Sequence, residues 1–124
     1  MSRTAIRNVG EIMTGDLVTL SPMDSMARAK DFLDRSGLHA IPIVEHGQPF
    51  GMVTLADCNG RQPDELLGDV MAGPPVTIDV KGSVSAAASL MRQHYVHHLL
   101  VTEGANAEVV GILSSYDLLA GLID

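Results

Sequence analysis

The sequence predicts a mixed α/β fold built from two copies of one strand, helix, strand, strand, helix unit, and three observations carry that prediction. Sliding the chain along itself by 58 positions aligns Gly10 to Glu45 with Gly68 to Glu103 and gives 9 identities in 36 pairs, where chance gives about two. Hydrophobic periodicity then changes in the same order in each copy, from β-branched runs to helical spacing and back. Finally, 124 residues with 46% apolar and 19% charged side chains suit one compact module and not a disordered chain.

Taking the elements in order, Leu17 to Leu20 (LVTL) and Pro75 to Ile78 (PVTI) are short β-branched runs that predict strands. Ser25 and Ser83 are good N-caps for the helices that follow. Met26, Ala29 and Leu33 match Val84, Ala87 and Met91 at i, i+3 and i+7, one face of a helix. Neither helix has the Glu that a capping box needs three residues on. Gly37 stops the first helix, whereas the second has Tyr95 at that point and is expected to stop another way.

Ala40 to Glu45 and His98 to Glu103 read as buried strands. Turn residues follow, HGQP in one copy and EGANAE in the other. Phe50 to Thr54 and Val109 to Ser114 then complete hairpins. LADC and SYDLLAG begin closing helices, and Leu113 to Ile123 predicts an apolar helix suited to a contact with a second copy or to the core. The join, residues 59–71, is a polar turn leading into a short helix. Neither half can bury both faces of so small a sheet alone, which predicts that the halves associate.

After the insertion near Gly104 to Glu108 the register resumes at 60, pairing Gly51 with Gly111, Thr54 with Ser114 and Asp57 with Asp117. Each copy therefore places a hydroxyl at a strand end and a carboxylate three residues on, in the first turn of a helix. Backbone amides at such a turn suit an anion, and a carboxylate there can accept hydrogen bonds from a vicinal diol. Together they suit a ribose phosphate. The competing reading is that Thr and Asp cap a helix and do nothing more; recurrence in both copies brings the two readings near parity.

With Ile12-Met13 and Val70-Met71 as lead-ins, Ile41-Pro42-Ile43 as a strand, and Gly51 to Asp57 and Gly111 to Asp117 as endings, the chain resembles a tandem pair of cystathionine β-synthase (CBS) domains, a Bateman module. The resemblance spans about residues 7–121, with units at 7–62 and 63–124. It implies two pseudo-symmetric β-α-β-β-α units packed through their sheets, and a regulatory sensor of an adenosine nucleotide held in two clefts. Carried over by position, one cleft would use Met52, Thr54 and Asp57 with Met71, Val76, Val96 and His97, and with His98 beside them. The other would use Ile112, Ser114 and Asp117 with Met13, Val18, Leu38 and His39.

AMP is expected over ADP and ATP because the matching strand positions supply imidazoles and no Arg or Lys. S-adenosylmethionine is a further possible regulatory ligand, and no obligatory cofactor is implied. Leu100 stands where the first copy has Pro42, which should alter the strand's edge more than the pocket. Tyr116 is expected to narrow the Ser114 cleft, so the Thr54/Asp57 cleft ranks first. A homodimer and an unidentified effector protein are the implied partners.

Net charge is −7 and the eight cations are scattered, which argues against nucleic acid and against an anionic membrane. A lone cysteine, Cys58, and a polar N-terminal stretch point to the cytoplasm. Cys58 has no base near it in sequence and reads as inert. His94, His97 and His98 are poorly disposed to share a metal ion, since neighbouring strand residues face opposite ways. With no nucleophile, metal set or acid–base pair, catalysis is not expected. The alternative to the sensor is an interaction or dimerisation scaffold with degenerate, unoccupied clefts.

Overall fold

The computed structural model describes residues 8–71 and 75–123, with side chains to residue 121. Packing divides it into two compact units. One is Val18–Pro75. The other joins the chain up to Leu17 to the chain from Val76 onward. The repeat boundaries at 7–62 and 63–124 describe the sequence; packing exchanges the lead-ins, so that each copy's lead-in lies with the strands and helices of the other copy.

In Val18–Pro75, the Ser25 hydroxyl accepts the Arg28 N–H at 3.1 Å and starts α1 (Met26–Ser36). The helix ends at Gly37, whose φ of 74° is the left-handed conformation that glycine tolerates best. β1 (Ala40–Glu45) and β2 (Gln48–Thr54) form an antiparallel hairpin. Glu45 pairs with Gln48 across His46 and Gly47, both at positive φ, as a two-residue hairpin turn requires. A single turn, α2 (Leu55–Cys58), follows directly. The join then returns to the unit as α3 (Leu67–Val70), bringing Leu67 into the core fully buried. It is tied by Met26 N–H to Glu65 O at 2.8 Å and Leu67 N–H to Asp24 O at 2.9 Å. Leu33, Ile41, Ile43 and Val53 complete that core. At about 1.5–3 kcal/mol for each fully buried aliphatic side chain, such residues, more than the one-turn helices, hold the unit together.

In the other unit, Asn8 and Glu11 form a reciprocal capping box around a 3₁₀ turn (Val9–Glu11) that buries Val9. Val9 N–H donates to Gly82 O and Thr14 exchanges two bonds with Ile112. β3 (Thr77–Asp79), β4 (His98–Glu103) and β5 (Glu108–Ser114) form a sheet in that order, parallel then antiparallel. α4 (Val84–His94) is capped by Ser83. Tyr95 ends it in the same left-handed conformation as Gly37, with φ 54°. α5 (Ser115–Ile123) closes the chain; the apolar helix expected from Leu113 begins two residues later, because Leu113 and Ser114 finish β5.

One expected strand is absent. Leu17 to Leu20 does not form a strand, and only Leu20 makes a bridge, to Ile43. Two donors are missing. In the second copy Leu100 N–H donates to Val76 O at 3.1 Å and Val80 N–H to Thr102 O at 2.8 Å, and these bonds seat β3. The matching residues in the first copy are Pro42 and Pro22, which have no N–H to offer Val18 and Val44. The first sheet therefore keeps two strands and the second has three. Among the described residues no helix is long and apolar enough to cross a membrane.

Candidate functional site

Thr54 ends β2 in extended conformation and serves as N-cap of α2. Its hydroxyl accepts the Asp57 N–H at 3.3 Å, while Asp57 Oδ2 accepts the Thr54 N–H at 2.8 Å and the Thr54 hydroxyl at 3.0 Å. This reciprocal box fixes both side chains before any ligand arrives. It leaves Asp57 Oδ1 without a donor among the described residues. Asp57 is exposed and Thr54 half-buried.

The second copy repeats the geometry at the end of β5. Ser114 N–H donates to Asp117 Oδ2 at 2.8 Å and Asp117 N–H to Ser114 Oγ at 3.0 Å, with both residues half-buried. One amide separates the copies. Ser115 N–H is spent on His97 O at 2.8 Å, whereas the matching Leu55 N–H has no acceptor among the described residues. The Thr54 turn thus keeps an open donor beside its hydroxyl.

The lead-in methionines lie where position carried them. A Cβ placed on Gly51 would stand 3.5 Å from Met71 Cβ, and one placed on Gly111 would overlap the Met13 thioether. Met71 is therefore brought to the Thr54 hairpin and Met13 to the Ser114 hairpin. Met52 and Ile112, both half-buried, pair with Pro42 and Leu100. Val76, Val96, His97 and His98 belong to the other compact unit from Thr54, and Val18, Leu38 and His39 to the other unit from Ser114. His39 is exposed, and Val18 and Leu38 stand just over a third exposed. His97 lines a groove between α4 and α5 with Arg92. Tyr116 is 75% exposed.

Cys58 is buried under Thr54, its thiol donating to Thr54 O at 3.5 Å. Burial pushes that thiol up, and the Asp57 carboxylate pushes the same way. A thiol kept protonated is a poor nucleophile. Among the described residues no group of three His, Cys, Asp or Glu could hold a metal ion. Periodicity alone could not have found the Leu55 amide or the Cys58 contact, since both depend on where neighbouring carbonyls fall.

A family model described as CBS domain matches residues 9–61 and again 67–124. The CBS domain-containing protein YhcV of Bacillus subtilis is 30% identical over 117 residues, covering 90% of this chain and 82% of its own. Among solved structures, CBSX2 in complex with AMP superposes with a TM-score of 0.81 at 20% identity, covering 94% of this chain and 96% of that one. The cytosolic domain of the Mg2+ channel MgtE in complex with ATP gives 0.80 at 22% identity, covering 91% of this chain and 48% of that one.

Proposed function

This chain belongs to the CBS domain family, and from that premise we propose that it is a regulatory module that binds an adenosine nucleotide through Thr54 and Asp57. The observation that carries the reading is the doubled hydroxyl–carboxylate pair, prearranged at two strand ends by the same reciprocal bonds. Asp57 Oδ1 would accept from the ribose diol and the Thr54 hydroxyl would turn to phosphate, with the open Leu55 N–H as a further donor. That amide is why the Thr54 copy ranks above the Ser114 copy. The adenine complexes of CBSX2 and MgtE support the nucleotide class.

A monophosphate is favoured because the strand positions that match the family's pocket supply imidazoles and no Arg or Lys. In the Val18–Pro75 unit Arg28, Arg35 and Arg61 are paired with Asp24, Asp31 and Glu65, and Lys30 stands in the groove on α1. Occupancy would be passed to an effector protein by a cytoplasmic homodimer that itself catalyses nothing. A scaffold with empty clefts is the second reading, favoured by the fact that Thr54 and Asp57 already satisfy one another.

Thermal shift and calorimetry with AMP, ADP, ATP and S-adenosylmethionine separate the two. AMP is expected to raise the melting temperature by mass action, by about 2.7 kcal/mol of stability at a hundredfold excess over Kd. Asp57→Ala should weaken AMP by about 1.5–3 kcal/mol, and Asp117→Ala by much less. No shift with any of the four ligands would leave the scaffold.

A further inference from the structure

Each unit packs its closing helix on its first helix, α2 on α1 and α5 on α4, and leaves a face across the pair. At four matching positions the two faces have diverged. Lys30, Asp34, Cys58 and Asn59 line the face of α1 and α2, whereas Ala88, Arg92, Leu118 and Leu119 stand at the same places on α4 and α5. One face is charged and the other apolar. On the apolar face Leu119 is left 62% exposed beside a floor of buried Met91 and Leu118, and Tyr116, one turn back on α5, is exposed as well.

The charged face carries its own complement. Lys30 and Asp34 are both exposed, lie one turn apart on α1, and join no ion pair among the described residues. When two copies of one surface meet about a two-fold axis, residue i of one meets residue j of the other and the reverse. Two α1 helices running antiparallel therefore set Lys30 of one copy against Asp34 of the second, twice over.

We propose that like meets like in the homodimer: the α4–α5 face covers the α4–α5 face of a second copy, and the α1–α2 face covers its own twin. The pairing rests on the homodimer reading and adds which surfaces build it. The leucine wall is then buried against itself, while Arg92, exposed at the rim, keeps its head in water. Crossed pairing, α4–α5 on α1–α2, would offer Asp34 to Arg92, but it would press the Lys30 ammonium and the Asn59 amide onto Leu118 and Leu119. A charge and an amide desolvated without partners cost more than one ion pair returns.

The test is sedimentation velocity of the full chain and of variants at exposed positions, for which the two pairings predict opposite signs. Leu119→Glu sets carboxylate against carboxylate if like meets like, and should raise the dimer dissociation constant by about tenfold or more. In crossed pairing the new carboxylate meets Lys30 and the dimer tightens. Lys30→Glu should weaken the dimer likewise, and Lys30→Glu combined with Asp34→Lys should restore it, because the reciprocal pair is only reversed; restoration also shows that the weakening is not lost folding. A tighter dimer with Leu119→Glu, or a double variant no stronger than Lys30→Glu alone, would overturn the pairing and leave the homodimer standing. A parent chain that stays monomeric at every concentration would overturn both.

Discussion

Replacing Leu100 by proline should move the second sheet toward the state of the first by removing one of the two donors that Pro42 and Pro22 remove there. The Leu100 N–H bond to Val76 O, 3.1 Å long, is lost, at about 0.5–1.5 kcal/mol. Val76 is half-buried, so water can reach its carbonyl and limit the loss. Leu100 is fully buried, and the smaller ring gives up about one methyl group, roughly 1 kcal/mol. Restriction of the unfolded chain returns about 0.4–1 kcal/mol. The twin position shows that a pyrrolidine ring is compatible with this strand, since Pro42 sits buried in β1. The net expectation is a loss of about 1–2 kcal/mol, read as a fall of about 0.5–1 M in the urea midpoint. Amide exchange should localise it: Val80 N–H, now bonded to Thr102 O at 2.8 Å, should lose protection while β4–β5 amides keep theirs. An unchanged midpoint with β3 still protected would refute the claim that the Leu100 donor helps to seat the strand. A loss beyond about 4 kcal/mol, on the scale reserved for severe core disruption, would refute the equivalence of the two positions.

Tyr95→Gly should stabilise the chain by about 0.5–1 kcal/mol in thermal or urea unfolding. The left-handed strain at φ 54° is relieved, the side chain is 93% exposed and gives up no packing, and glycine's greater unfolded freedom offsets part of the gain. Because burial raises the Cys58 thiol, the folded chain holds that proton more tightly than the unfolded one. Its contribution to stability should be complete below about pH 8.5 and fall as pH rises through the folded value, a slope in the urea midpoint that Cys58→Ala should flatten. A fragment of residues 18–75 should unfold cooperatively by circular dichroism, whereas 7–62 should not, because it lacks Leu67 and the Glu65 and Asp24 backbone ties.

The parts of the fold that could be read from sequence are those fixed by short-range rules. Serine caps, the i, i+3, i+7 faces and the apolar runs of β1 and β4 each depend on residues a few positions apart, and they fall where expected. The first copy's missing strand was only partly legible: LVTL and PVTI have the same β propensity, Pro22 just beyond LVTL removes the donor that Val80 supplies in the second copy, and the other lost donor lies 24 residues away in Pro42. Tyr95 likewise has no sequence signal for left-handed backbone, and tertiary context imposes it. At the candidate site, recurrence singled out Thr54, Asp57, Ser114 and Asp117. What distinguishes the copies is an amide whose partner is the His97 carbonyl, a backbone group that no side-chain pattern reports.

The exchange of lead-ins gives a physical reason for two features that the sequence shows only as separate coincidences. Each copy has a methionine in its lead-in and a glycine three residues before its Thr or Ser. Met71 lies against Gly51 and Met13 over Gly111, and the fit is tighter in the second hairpin: a Cβ on Gly111 would overlap the Met13 thioether, whereas one on Gly51 would meet Met71 Cβ at the ordinary contact distance of 3.5 Å. Gly111 thus admits a thioether to its hairpin and need not cradle a phosphate. A methionine suits that place because its flexible chain fills an irregular gap. The strand that carries each hydroxyl–carboxylate pair is therefore braced by the opposite lead-in, through a methionine that requires glycine at position 111 and only touches position 51.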